Sequence, residues 1–327
     1  MSDKNNKKPF HKQILHLENI ERTCSEITEK LKNDVYHELN RRGAIVGISG
    51  GIDSSVTFAL AVKTFGPDKV KGIILPEEDS SSDSRLFAEK LANHYGVETI
   101  VENISEALKG FGCYERRDQA IKKVIPGFDP RKDKSKIEIK QSIGVNMPVI
   151  FYITVIKPDG QVISKMLPTK EYLQIVAASN FKQRSRMTML YYHAERLHYA
   201  VIGTPNKHEV EQGFFVKYGD GGADVMPIGN LYKTQVYQLA AYLDVPSEII
   251  ERTPTTDTYS AEQTQEDFFY QMPFVNMDLI WYGFENGYDA KEVGDVMGKT
   301  TEEIENIFKN FERKRKTTDY LRRKPIF

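Results

Sequence analysis

At 327 residues, with 40% hydrophobic and 28% charged residues, the chain has the balance of a soluble enzyme long enough to bury a core. A formal net charge of −1 gives no global basic field for nucleic acid, and the apolar stretches fall short of a membrane span. Two cysteines, Cys24 and Cys113, are too few for a disulfide framework or a four-thiolate zinc site, so reduced thiols in a cytoplasmic protein are expected.

Residues 1–16 are polar, lack the apolar core of a secretory signal, and read as a flexible tail. From about 17 to 42, Ile20, Ile27, Leu31, Val35 and Leu39 recur at helical spacing among charges, and Gly43 stops the helix. Ala44–Ile48 is an apolar run suited to a buried parallel strand. A loop at 49–54 leads into a helix from Ser55 to about Thr64. Lys69–Leu75 reads as a second strand, Ser84–Tyr95 as a helix, and Glu98–Ile104 as a third strand. This alternation predicts a doubly wound parallel sheet with right-handed crossovers.

The character changes from about 112 to 168. Charges cluster at Lys132–Lys136, and Val149–Val155 faces Gln161–Ile163 across the turn Lys157-Pro158-Asp159-Gly160, which predicts a β-hairpin. The segment therefore reads as an inserted subdomain or lid in a domain spanning 17–327. A helix follows from Lys170 through Leu197, then a fourth strand at Tyr199–Thr204, a glycine-rich loop at Tyr218–Asp224, and a helix from Lys233 to Leu243. The remainder is helical and charged, with Met277–Tyr282 as its apolar centre.

The loop after the first strand carries the strongest chemical signal. Ser49-Gly50-Gly51-Ile52-Asp53-Ser54, between a strand and a helix, aims backbone N–H groups and a positive helix end at an anion. Gly50 and Gly51 admit phosphate oxygens close to the backbone, and Asp53 offers a hard oxygen to Mg²⁺. The loop lacks the Gly-Lys-Ser/Thr ending of a P-loop and the third glycine of a dinucleotide fingerprint. After the second strand, Leu75–Asp79 and the run Ser80–Ser84 suit either adenine recognition near Ile74 and Leu75 or a plain loop and helix cap. After the fourth strand, Thr204 is placed to contact ATP, and Glu209 could complete a metal site opposite Asp53. His208-Glu209-Val210-Glu211 lacks the second histidine of a zincin, and a lone histidine there reads as a solvated loop residue.

With these residues in place the chain resembles the NAD synthetases, within the ATP pyrophosphatases that share the Ser-Gly-Gly-x-Asp-Ser loop. The resemblance rests on Gly47–Ser54, Gly203-Thr204 with Glu209, and Gly213–Asp224. It continues through Leu231-Tyr232-Lys233, Pro254-Thr255-Thr256-Asp257 and Lys314-Arg315, covering roughly 20–110 and 168–320. It implies an adenine nucleotide alpha hydrolase-like fold with a helical C-terminal region. It further implies that Gly47, Ile48, Ser49, Gly50, Gly51, Ile52, Asp53 and Ser54 hold ATP phosphates, with Thr204, Lys233 and Thr255 also on ATP. Asp53 and Glu209 would bind Mg²⁺, and Asp53 and Lys233 would serve catalysis. Arg184, Lys217, Asp224, Arg313 and Lys314 would face deamido-NAD.

The implied chemistry is adenylation of a carboxylate followed by attack of ammonia, in a homodimer. No nitrilase-like domain fits in the chain, and neither cysteine has a glutaminase context, so free ammonia or a separate glutaminase partner is expected. Two features depart from the family pattern: the insertion at about 112–168, and Arg313 where a histidine usually precedes Lys-Arg. Both leave ATP chemistry intact and bear on the identity of the acid. The rival readings are a sibling ligase for another carboxylate of a sugar or secondary metabolite, a non-catalytic nucleotide sensor, and a transfer-RNA-modifying relative. A near-neutral charge disfavours the last.

Overall fold

The computed structural model describes residues 7–140, 150–254, 259–261, 263–264 and 272–326. Four strands, β1 (Ala44–Gly47), β2 (Val70–Ile74), β3 (Thr99–Val101) and β7 (Ala200–Ile202), form a parallel sheet in the order β3-β2-β1-β7. Ala44 sits opposite Val70 on one side and Ala200 on the other, so β1 is central. Alternation along β1 divides the core. Ala44 and Val46 face one layer with α1 (Ile20–Asn33), α2 (Ile52–Phe65), α3 (Ser82–His94) and α8 (Lys233–Tyr242). Ile45 faces the opposite layer, with Leu108 of α4 (Ser105–Gly110), Tyr114 of α5 (Cys113–Val124) and Leu190 of α6 (Thr169–Leu197). This is the doubly wound α/β sheet expected from the strand–helix alternation. Val225 extends it through a parallel bridge to Ile202.

The first predicted helix is shorter than its apolar period suggested. The α-helix ends at Asn33, and Asp34–Glu38 widens into a π turn. By contrast α2 starts three residues earlier than expected, at Ile52, with Gly51 as its N-cap. The glycine pair therefore abuts the helix directly.

The insertion carries its own three-stranded antiparallel sheet, β4 (Lys134–Lys140), β5 (Ile150–Ile156) and β6 (Val162–Met166), in that order. The hairpin forms across Lys157–Gly160, with Lys157 N–H donating to the Gln161 carbonyl at 2.9 Å; Val149 lies outside the described residues. β4 falls on the charged cluster, where no strand was expected. Its sequence alternates lysine with Ser135 and Ile137, and those two are buried. Ile137, Ile153 and Val155 pack with Ile121 of α5 and Ile175 of α6.

The C-terminal region is helical: α9 (Ser247–Ile250), α10 (Phe274–Glu285), α11 (Ala290–Met297), α12 (Thr301–Thr317) and α13 (Asp319–Arg322). Its core also takes in Phe10 and Leu15. The Phe10 amide donates to Glu292 at 3.0 Å, so the segment from Lys7 to His16, expected as a loose tail, is packed from its first apolar residue. Among the described residues no helix is long and apolar enough to cross a membrane.

Candidate active site

The strand order switches sides between β1 and β7, which run parallel, and in open α/β sheets ligands bind beyond the carboxyl ends of the strands at such a switch point. The loop after β1 lies there. Gly50 has φ +73°, and a Cβ there would stand 2.7 Å from both the Ser84 carbonyl and the Phe87 Cβ at the start of α3. Only glycine satisfies both the dihedral and the contact. Ser54 and Ser55 Oγ both donate to the Gly51 carbonyl at 2.9 Å, and Ser49 Oγ lies 3.2 Å from Ser54 Oγ. These bonds hold the turn, and Gly51 has no side chain to cap the α2 amides. The positive helix end is thus presented to an anion.

From β7, Gly203-Thr204-Pro205 leads to Asn206, the N-cap of α7 (Lys207–Gln212). The Asn206 side chain accepts from the His208 and Glu209 amides, and the Asn206 backbone N–H donates to the Glu209 carboxylate at 2.9 Å, a complete capping box. The Asn206 amide group also donates to Asp53 at 3.2 Å. From α8, the fully buried Lys233 Nζ donates to the other Asp53 oxygen. Three segments far apart in the chain thus converge: Asp53 from α2, Asn206 and Glu209 from α7, and Lys233 from α8.

Burial first, then the Asp53 charge, pushes the Glu209 carboxyl up to about 8, against the pull of Lys233. Burial works to neutralise Lys233, but Asp53 and Glu209 outweigh it and hold its pKa above the ordinary lysine value. Asp53 and Glu209, whose charges oppose one another, could together offer oxygen donors to a divalent cation. Among the described residues no cluster of three or more ligand side chains exists. A cation that retains waters and takes further ligands from phosphates, as Mg²⁺ does, could be held by two carboxylates.

A second polar cluster, invisible in the sequence, lies at the carboxyl end of β2. Lys182 of α6 is buried and reaches Asp79 at 2.6 Å and Glu77 at 3.1 Å. Arg117 of α5 pairs with Asp79 and, at 2.8 Å, with Asp118; Tyr114 OH donates to Glu77 at 2.8 Å. Burial raises the Asp79 pKa, yet Lys182 and Arg117 overcome it and leave the carboxyl below its ordinary value. Ser80 Oγ accepts from the Glu77 amide and Ser81 Oγ from the Asp83 amide, so at these two serines the run serves as loop and cap.

The residues expected on the second substrate separate into groups. Arg184 is exposed on α6 and donates to the Lys217 carbonyl at 3.2 Å, while Lys217 Nζ donates to the Tyr320 and Arg323 carbonyls at 2.9 Å. These two therefore meet the C-terminal end. Asp224 is held elsewhere, accepting from Tyr191 OH and the Val201 amide at 2.8 Å. Arg313 and Lys314 sit near the end of α12; burial, then Arg313, brings the Lys314 pKa down to about 8. Thr204 is half-buried just past β7, and Thr255 lies outside the described residues.

One feature went unread and one was misread. Asn206 was legible, since asparagine three residues before Glu209 is a capping-box pattern. His208 is not a solvated loop residue: it is buried, with Nε2 2.6 Å from Asp278 of α10.

The family model of NAD synthase matches residues 23–126 and 119–320. An NH(3)-dependent NAD(+) synthetase from Mesorhizobium japonicum is 48% identical over 92% of this chain and 94% of its own length. One of the same name from Rhizobium meliloti is 46% identical over 86% of this chain and 84% of its own. Among solved structures, the NMN synthetase from Francisella tularensis superposes with a TM-score of 0.61 at 23% identity, covering 94% of this chain and 98% of that one, a likeness of fold.

Proposed function

The chain belongs to the NAD synthase family, and from that premise we propose that it is an ammonia-dependent ligase converting deamido-NAD, ATP and ammonia to NAD, AMP and pyrophosphate. The observation that carries the reading is the convergence of Asp53, Asn206, Glu209 and Lys233 on the uncapped amino end of α2. A triphosphate needs what this corner offers: amide N–H groups, one buried ammonium, and a carboxylate pair for Mg²⁺.

In the reaction, a carboxylate oxygen of deamido-NAD attacks the α-phosphorus, and the bond to the β-phosphate breaks to release pyrophosphate. Ammonia attacks the acyl carbon of the adenylate and sheds its proton, and AMP leaves with the carboxylate oxygen. The residues of Gly47–Ser54 and Lys233 hold the charge that grows on pyrophosphate, and Thr204 and Thr255 complete the ATP site. Bound at Asp53 and Glu209, Mg²⁺ supplies electrostatic stabilisation of the same charge. Arg184, Lys217, Asp224, Arg313 and Lys314 serve the dinucleotide. Of these, Arg184 and Lys217 have the better support, since they adjoin one another. A homodimer, a cytoplasmic location and ammonia taken free or from a separate glutaminase complete the reading.

The experiment is isotopic. Deamido-NAD carrying ¹⁸O in its nicotinate carboxylate is turned over with ATP and ammonium, and AMP is analysed by mass. One ¹⁸O per AMP is the expected result; unlabelled AMP would remove the acyl-adenylate.

A further inference from the structure

Glu209 and Lys233 stand at the starts of two short helices, the six-residue α7 and the ten-residue α8. Neither is long enough to hold its own orientation without tertiary support. Both are bridged by α10. Asp278, fully buried, lies 2.6 Å from His208 Nε2 on α7 and accepts from the Thr234 amide on α8 at 2.7 Å. About two turns further along, Glu285 pairs with Lys207 of α7 at 2.7 Å and accepts from the hydroxyl of Tyr232, the α8 N-cap, at 2.9 Å. Phe274, at the head of α10, places its ring 5.2 Å from Lys233 Nζ. Spacings of four and seven residues put all three on one face of the helix.

Each acid therefore spans from the residue next to a site residue on α7 to its counterpart on α8. His208 adjoins Glu209 and Thr234 adjoins Lys233. The His208 ring is wedged edge-on between Tyr232 at 5.7 Å and Trp281 at 5.6 Å. Apolar packing alone would join three helices at lower desolvation cost than a buried carboxylate. What a carboxylate adds is direction: its two oxygens fix two donors relative to one another.

We propose that this face of α10 is a positioning rail, with Asp278 and Glu285 as positioning residues that set the separation of Glu209 from Lys233 and so the fit of Mg²⁺ and the triphosphate. The rail rests on the functional reading above. It makes the C-terminal helices part of the catalytic apparatus, although they contribute no group to the Asp53–Asn206–Glu209–Lys233 corner.

The test uses the full chain and the variants Asp278→Asn and Glu285→Gln. Three quantities are followed: the Mg²⁺ dependence of turnover, the Mg²⁺ dependence of ATP binding by calorimetry, and the thermal midpoint. Loss of a residue that orients metal ligands costs about 10–100-fold in metal affinity or activity. Asp278→Asn is expected to raise half-saturating Mg²⁺ by that factor and lower kcat, with the KM for deamido-NAD unchanged. Glu285→Gln, altered on a partly exposed side chain, shifts Mg²⁺ in the same direction by at least about threefold. A lowered thermal midpoint with half-saturating Mg²⁺ within about twofold of the parent in either variant overturns the rail. Should Asp278→Asn fail to fold, Glu285→Gln decides alone. If the parent makes no NAD, the functional reading fails, and calorimetry of ATP with Mg²⁺ still decides on the rail.

Discussion

Alanine at position 53 would remove the hydrogen-bonded counter-charge of the buried Lys233 ammonium, and breaking a buried pair costs about 3–5 kcal/mol of stability. Asparagine keeps an oxygen for Lys233 while removing the charge that a cation needs. Asp53→Asn is therefore the informative change, with kcat expected to fall about 10²–10³-fold, equivalent to one lost electrostatic contact of about 3 kcal/mol. A thermal scan should move by only a few degrees; a large drop with kcat preserved would assign Asp53 to folding. Glu209 gives a pH signature. Burial, then Asp53, raises its pKa to about 8, so its contribution to stability is present at low pH and lost as pH climbs through that value. Mg²⁺ competes with the same proton. Half-saturating Mg²⁺ should fall by up to about tenfold per pH unit approaching pH 8 and level off above it. A flat titration would mean Glu209 does not meet the ion. Asp53, Glu209 and Lys233 stand out as candidates in the sequence because each follows a strand or opens a helix within a motif. Asp278 does not, because its partners His208 and Thr234 lie 70 and 44 residues away.

At the scale of elements, strand–helix alternation was readable because β1 is apolar throughout and glycines punctuate it. The start of α2 was misjudged by three residues, since a Gly-Gly pair reads as loop until Gly51 is seen to be the cap. β4 was missed although Lys-Ser-Lys-Ile alternates, because charge density hid a strand with one buried face. The insertion is also more than a cover. Its helix α5 delivers Arg117 to Asp79, where Lys182 of α6 meets it, so the loop after β2 is clamped from two sides. Asp79→Ala leaves both cations buried with one carboxylate fewer, and urea unfolding should show a loss of about 3–5 kcal/mol. A loss under about 1 kcal/mol would mean that Glu77 and Asp118 suffice for them.

For the whole molecule, the apolar centre of the C-terminal region is part of the core: Met277, Leu279, Ile280 and Trp281 are buried within the chain. The packed segment from Lys7 to Leu15 closes the same core, which composition could not reveal because only Phe10, Ile14 and Leu15 interrupt a polar run. The fold brings side chains of α2, α7 and α8 together at one corner, and α10 bonds to both α7 and α8. We propose that this site couples ATP cleavage to amidation of deamido-NAD. The direct measurement is to incubate the purified protein with ATP, Mg²⁺, ammonium and deamido-NAD, and to quantify NAD and AMP together. One NAD per AMP is expected, with both formed about 10²–10³-fold more slowly by Asp53→Asn. ATP binding without either product, or AMP formed without NAD, would contradict it.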